Sequence, residues 1–441
     1  MPKIFYGWYI VGAGLIINML IGGLTMNAFG FYAAALKDEF GWSATIFGVA
    51  AAVTRVESGL LGPIQGWMID RFGPRAMIRL GITTTALGMI LFGLLWDEIS
   101  FIGFYILLSI GTSIGGFMTV SVAVVTWFER KRSRAIGFMS MGFTFGALVS
   151  AVVGVAILNF GWRETTYATG ALLLVVGWGL TFLFTRHPAD KGLEVDGGVE
   201  AAPDGSAAIA RQFNPFRHRD FTAREALRTR AFWGLGLAHG APLMVVGMWI
   251  GHGVLHIDEL PGFSAGDAAV VVTVMVVTQL IGQSLSAWAG DRFPKRPLLV
   301  LCMIGHAFAG IALAVATGWW MLMAFAVLNG VAWGARGTLI TSLRADYFGA
   351  SQFGRIMGWT SMVMMPFMTI GMLGSGIMRD IFGSYDLAFI IFSIGAGSGV
   401  IWILMSTRPR LPGPPRLPIM PPLPPTARMV VATRPNRPAG R

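Results

Sequence analysis

The chain has 441 residues, 54% of them hydrophobic and 12% charged, with a formal net charge of +11. A soluble domain carries about 25% charged residues, so there is too little charge to coat a water-facing surface, and a polytopic membrane protein is expected. The lone cysteine, Cys302, excludes an intrachain disulfide. No nucleotide loop, nucleophile triad or metal-ligand cluster occurs, so no enzymatic activity, cofactor or metal is expected.

The first apolar run begins near Tyr9 with no small-residue cleavage site after it, and is expected to be a first span, not a cleaved leader. Twelve helices are expected near 8–35, 44–69, 76–96, 100–127, 135–158, 164–185, 231–256, 267–290, 297–317, 319–343, 353–378 and 386–406. Each is long enough for a hydrocarbon core of about 30 Å, where unpaired backbone groups find no water and helices are the workable spans. The expected fold is therefore an all-α membrane protein of two pseudo-symmetric six-helix bundles, residues 1–185 and 231–406, joined by a cytoplasmic loop over 186–230. Within that loop 197–206 reads as flexible linker, and 222–228 as a short amphipathic helix on the inner membrane face. The tail, 407–441, holds 11 of the 22 prolines and seven arginines and is expected to be disordered.

Lys and Arg set the orientation. With the amino terminus inside, 28 of the 33 basic residues fall in cytoplasmic segments; only Lys37, Arg163 and Arg379 fall outside, and Arg55 and Arg336 lie within spans. That bias places both termini in the cytoplasm of a multi-pass protein of the cell's inner (plasma) membrane. The positive charge is then explained by anionic lipid at the inner face and needs no nucleic-acid partner.

A charged turn after the second helix occurs twice. Gly66-Trp67-Met68-Ile69-Asp70-Arg71-Phe72-Gly73-Pro74-Arg75 returns 221 residues later as Trp288-Ala289-Gly290-Asp291-Arg292-Phe293-Pro294-Lys295-Arg296. The same offset relates Gly41-Trp42-Ser43-Ala44 to Gly262-Phe263-Ser264-Ala265, and Arg134-Ala135-Ile136-Gly137 to Arg355-Ile356-Met357-Gly358. Three landmarks at one offset mark a duplicated half, and duplicated hydrophobic halves are a signature of secondary transporters.

Twelve helices, two halves and the Asp-Arg turn resemble the major facilitator superfamily, whose signature after helix 2 reads G-x-x-x-D-R-x-G-R-R. Gly66, Asp70, Arg71, Gly73 and Arg75 match; Pro74 departs from it, and in the second copy Ala287 replaces the leading glycine. The run 63–75 and the junction Trp127-Phe128 with Lys131, Arg132, Ala135 and Gly137 are similar to the monocarboxylate transporter and oxalate–formate antiporter-like branch. The resemblance implies a carrier of small organic anions, a symporter or antiporter working as a monomer, with protons as one option for the coupled ion. It also implies that Asp70, Arg71, Arg75, Asp291, Arg292 and Arg296 act as gate residues. That branch often carries a cation in helix 8 or 11, whereas the membrane-embedded parts of both helices lack Lys and Arg here. A carrier of another small molecule, as in drug or metabolite efflux, or a non-transporting receptor on the same scaffold, remains the alternative.

The candidate substrate contacts start from the two arginines. Arginine at mid-membrane costs about 2.5–3.5 kcal/mol and needs a partner or a wet cavity, and its planar fork fits a carboxylate. Arg55 could clamp substrate or pair with Glu57, although positions two apart on a helix point away from each other. Arg336 shares a helical face with Asn329 and Trp333, and helices 1, 4, 7 and 10 of the superfamily line a central cavity. Asn18, Thr25 and Tyr32 on helix 1 suit either a cavity wall or contacts between helices, as do Gln279 and Gln283 on helix 8. His239 is the cavity candidate of helix 7, and His256 is expected at the interface. Glu57 is either a proton carrier, its carboxylate sitting in low dielectric, or an interhelical hydrogen-bond acceptor.

Overall fold

The structure, a computed structural model, describes residues 4–197 and 220–410, without the side chains of Ala44, Ala51, Ala52, Arg55 and Ala265. The linker and the tail expected from the sequence fall outside the described residues except for Gly197 and 407–410. Twelve long helices are present among the described residues. In the first half they are α1 (Gly7–Phe40), α2 (Ala44–Phe72), α3 (Pro74–Phe92), α4 (Glu98–Trp127), α5 (Arg132–Phe160) and α6 (Trp162–Leu183). In the second they are α7 (Arg230–Glu259), α8 (Ala265–Ala289), α9 (Lys295–Ala314), α10 (Trp319–Phe348), α11 (Phe353–Phe382) and α12 (Asp386–Met405). Eleven are long and apolar enough to cross a membrane; α2, which carries Arg55 and Glu57, is the twelfth.

Within each half the helices pack in matching pairs: α3 on α4 and α1 on α5 in the first, α9 on α10 and α7 on α11 in the second. Two further pairs join the halves, α2 with α11 and α5 with α8. Small residues make these contacts close. A Cβ on Gly66 would collide with the Gly354 carbonyl oxygen, and one on Gly62 would lie 2.7 Å from that of Gly358. Backbone then meets backbone, the approach that small residues allow between membrane helices. Gly73 ends α2 at φ +85°, a value that favours glycine, and so turns the chain directly into α3.

Several ends differ from the sequence expectation. Helix α10 continues to Phe348, five residues past the expected end, because Arg344 and Ala345 are buried rather than released to a loop. Helix α4 starts at Glu98, where Asp97 accepts the Ser100 amide at 2.7 Å and Ser100 Oγ accepts the Asp97 amide at 3.0 Å, a capping box. Helices α1 and α7 each hold one π-helical stretch, Gly22–Met26 and Trp249–Gly253. The short helix of the central segment is Ala223–Leu227, capped by Thr222 and Glu225. Its Ala223 and Ala226 bury against Phe232 and Phe348 in the core of the second half.

Candidate functional site

The first functional feature is a seam between the halves at the face that carries the Asp-Arg turns. Asp70, at the end of α2, accepts the amides of Gly354 and Arg355, both at 3.0 Å, at the start of α11. Asp291, just after α8, accepts those of Ser133 and Arg134 at 2.8 and 3.2 Å, at the start of α5. Each carboxylate thus caps the first turn of a helix in the opposite half, where unpaired N–H groups and the helix dipole favour negative charge. The arginines that follow are the nearest cations: Arg355 Nε lies 3.8 Å from Asp70 and Arg134 Nε 4.0 Å from Asp291. Asp291 lies outside the spans, and burial raises its carboxyl above the usual carboxylate range despite the two amides.

Further ties cross the same seam. Arg132 donates across it to Asp346 at 2.7 Å, while the other oxygen of Asp346 is held within the second half by Lys295, which donates at 2.5 Å. Ser133 meets Ser342 at 2.9 Å, and Gln283 accepts from Thr144 at 3.2 Å and donates to the Ser140 carbonyl at 3.4 Å. The other basic residues of the turns stay within their own halves. Arg75 stacks on Phe182, Arg292 on Trp288, Arg296 donates to the last carbonyls of α12, and Arg71 is exposed.

The second feature is a cationic cluster inside the second half. Arg336 is 1% exposed and donates to the His239 carbonyl at 2.7 Å, with its Nε unpartnered. Arg344, two turns further along α10, is equally buried; its Nη1 meets only the Met357 sulfur and its Nη2 meets nothing. His306 on α9 donates from Nδ1 to Asn329 Oδ1, 2.8 Å away, and lies within electrostatic range of Arg336. No carboxylate among the described residues pairs with either arginine. Sequence reading placed Arg344 in a loop, because the polar run Arg-Ala-Asp-Tyr lowers hydropathy there; its burial is set by α11 and is not visible along α10 itself.

In the first half, Glu57 accepts from Ser109 Oγ at 2.7 Å and Ser58 Oγ at 3.1 Å, and Ser58 also meets Ser113. One carboxylate oxygen is buried and unpartnered. Arg55 lies on the same helix, with its side chain outside the described residues.

In the polar stripe of α1, Asn18 and Tyr32 meet neighbouring helices and Thr25 bonds within its own helix. Asn18 is fully buried and donates to the Met139 carbonyl of α5, Thr25 bonds back to Ile21, and Tyr32 packs edge-on against Phe92 of α3. Gln283 belongs to the seam, whereas Gln279 is half-buried on α8. Asn329 and Arg336 point toward α7, α8 and α9 of their own half, with Trp333 half-buried beside them. His256, expected at the interface, is instead 2% exposed, against Phe389 and the Leu313 carbonyl, because Tyr385 and Phe389 of α12 close over it. Among the described residues no group of three metal-ligating side chains occurs.

Two six-helix bundles related by an internal repeat, tied at one face through reciprocal helix caps, make up the architecture of a secondary membrane carrier. The chain belongs to the Major Facilitator Superfamily, whose model matches residues 15–256 and 252–435. It is a membrane transporter and not an enzyme. It is similar to monocarboxylate transporter 13 of Bos taurus, 26% identical over 90% of this chain and 88% of that one. It is also similar to the oxalate:formate antiporter of Oxalobacter formigenes, 24% identical over 88% of each. Among solved structures the fold matches a proton:xylose symporter, XylE, with a TM-score of 0.72 at 14% identity, over 90% of this chain and 95% of that one.

Proposed function

We propose that this chain carries a small organic anion, a monocarboxylate first of all, across the inner membrane by alternating access, with the Asp-Arg face and both termini in the cytoplasm. The observation that carries the reading is the pair Arg336 and Arg344, two buried guanidinium groups with unpartnered nitrogens and, among the described residues, no carboxylate paired with them. An uncompensated buried cation is costly, and a substrate anion offsets that cost when it visits. The printed names of the two relatives, a monocarboxylate transporter and an oxalate:formate antiporter, point to the same chemistry. The test is uptake of labelled monocarboxylates into proteoliposomes. Arg336→Ala is expected to abolish uptake, and Arg336→Lys to weaken it about tenfold or more, because lysine lacks the planar fork. Transport of cations or neutral compounds but of no carboxylate, with Arg336→Ala unchanged, would sink the reading.

Glu57 supplies the proton step in this scheme. Its unpartnered oxygen can take up a proton without breaking the bonds from Ser109 and Ser58. Glu57→Gln should lose uptake driven by a pH gradient and keep exchange of substrate for substrate. Intact pH-driven uptake in that variant would leave Glu57 as a helix contact.

A further inference from the structure

The two gate carboxylates have a second pair of carboxylates beside them that neither the duplicated motif nor the family signature contains. Asp196 Oδ2 accepts the amides of Glu129 and Arg130 at 3.1 and 2.7 Å, in the turn between α4 and α5. Asp220 Oδ2 accepts those of Ala350 and Ser351 at 2.9 and 2.8 Å, in the turn between α10 and α11. The two amide pairs are related by the repeat, since 350 − 129 and 351 − 130 both equal 221. The two aspartates are not: the position 221 residues after Asp196 is Leu417, and Asp220 has no counterpart in the first half. The same contact has therefore been made twice, from unrelated parts of the chain. A turn that only happened to lie near an acidic residue would not show this.

Each contact is held firmly from the loop side. Asp196 has φ +59°, the one non-glycine residue with positive φ among the described residues. Such a conformation persists only where the surroundings impose it. Asp220 is anchored by its neighbours: the Phe221 amide donates to the Phe348 carbonyl at 3.0 Å, and the Ala223 amide to Gln352 Oε1 at 2.9 Å. Three residues beyond each clamped pair lies the amide pair that the gate aspartate of the other half receives: Ser133 and Arg134 for Asp291, Gly354 and Arg355 for Asp70.

We infer that Asp196 and Asp220 are positioning residues of the gate. Each fixes the turn of its own half so that the next pair of amides faces the aspartate of the other. Asp196 acts through the Asp291 contact and Asp220 through the Asp70 contact. The inference concerns the seam alone and holds whatever the substrate is.

The test is a double-mutant cycle on the full chain in lipid nanodiscs without substrate. Spin labels at Ala76→Cys and Pro297→Cys, both exposed, in the first turns of α3 and α9 and so one on each half, report whether the seam is open. Asp196→Asn should raise the open fraction about three- to tenfold, the effect of weakening a hydrogen bond to a charged group. In an Asp291→Asn background the same change should alter it by less than about 1.5-fold, and in an Asp70→Asn background it should keep its full factor. Asp220→Asn should show the reverse dependence. A merely structural role would give equal factors in both backgrounds, and that result, or an unchanged distance distribution, overturns the inference. If Asp196→Asn does not fold, Asp196→Glu and the Asp220 arm decide the matter by the same criterion.

Discussion

The two faces of the molecule are held together in opposite ways. At the face of the Asp-Arg turns, hydrogen bonds and ion pairs run between the halves, from Asp70, Asp291, Arg132 and Gln283. At the other face the ion pairs among the described residues stay within one half: Arg163 with Glu39 at 2.6 Å, and Arg379 with Glu259 at 3.1 Å. One face is fastened across the seam and the other is not, which is the arrangement of a carrier closed on the first side. The difference lies in which partners are supplied by the opposite half, not in how many polar contacts each face has.

The largest break in that contrast should come from the backbone contact of α2 with α11. Gly66→Val places carbon where the Gly354 carbonyl oxygen already lies, an overpacking that costs about 1–3 kcal/mol or more. Each half keeps its own contacts, so the variant should reach the membrane at normal levels while turnover falls by about tenfold or more. Uptake per reconstituted molecule measures this, and a normal rate would show that closure does not need the two backbones to touch.

A smaller effect is expected from proton binding at the seam. In the closed arrangement burial raises the Asp291 carboxyl, against the lowering by the Ser133 and Arg134 amides and by Lys295. Opening exposes it and returns it to the ordinary range. The closed arrangement therefore binds the proton more tightly: closure is favoured at low pH, and that contribution is lost as pH rises through the raised value. The closed fraction should fall as pH climbs from the ordinary aspartate range through the raised value, and Asp291→Asn should flatten the curve. An equally steep curve in that variant would place the proton elsewhere.

The least effect should come from the unfastened face. Glu39 and Arg163 are each 39% exposed at the side chain, and exposed pairs contribute about 0–1 kcal/mol. Arg163→Ala should change turnover by less than about twofold and barely move the melting temperature. A large loss would mean that this face also has a lock.

Much of the architecture was legible because its causes are local. Spans follow from long apolar runs, and the duplication that puts Asp70 and Asp291 in matching turns follows from one offset that recurs at three landmarks. The rest depends on neighbours. The spacing of Asn18, Thr25 and Tyr32 identifies a helix face but not what that face meets, which here is α5 and α3. Arg344 reads as a loop residue by hydropathy and becomes a buried charge only once α11 packs on it. The clamps of Asp196 and Asp220 join residues 66 and 130 apart through backbone amides, which leave no trace in residue type. The signal that could have found them was the recurrence of the turns at 129–130 and 350–351, each needing an acceptor.

The reciprocity of the two helix caps has a consequence for symmetry. Asp70 is given by the first half and received by the second, and Asp291 is given by the second and received by the first. Each half thus carries the acceptor of one contact and the donors of the other, the property of an isologous interface, where the same patch meets itself across a two-fold axis. The seam is in this sense a homodimer interface written into one polypeptide. Each half carries both kinds of group that these two contacts need, a carboxylate at the end of its second helix and a pair of amides at the start of its fifth, and the link between the halves adds the carboxylates of Asp196 and Asp220 to the turns beside them.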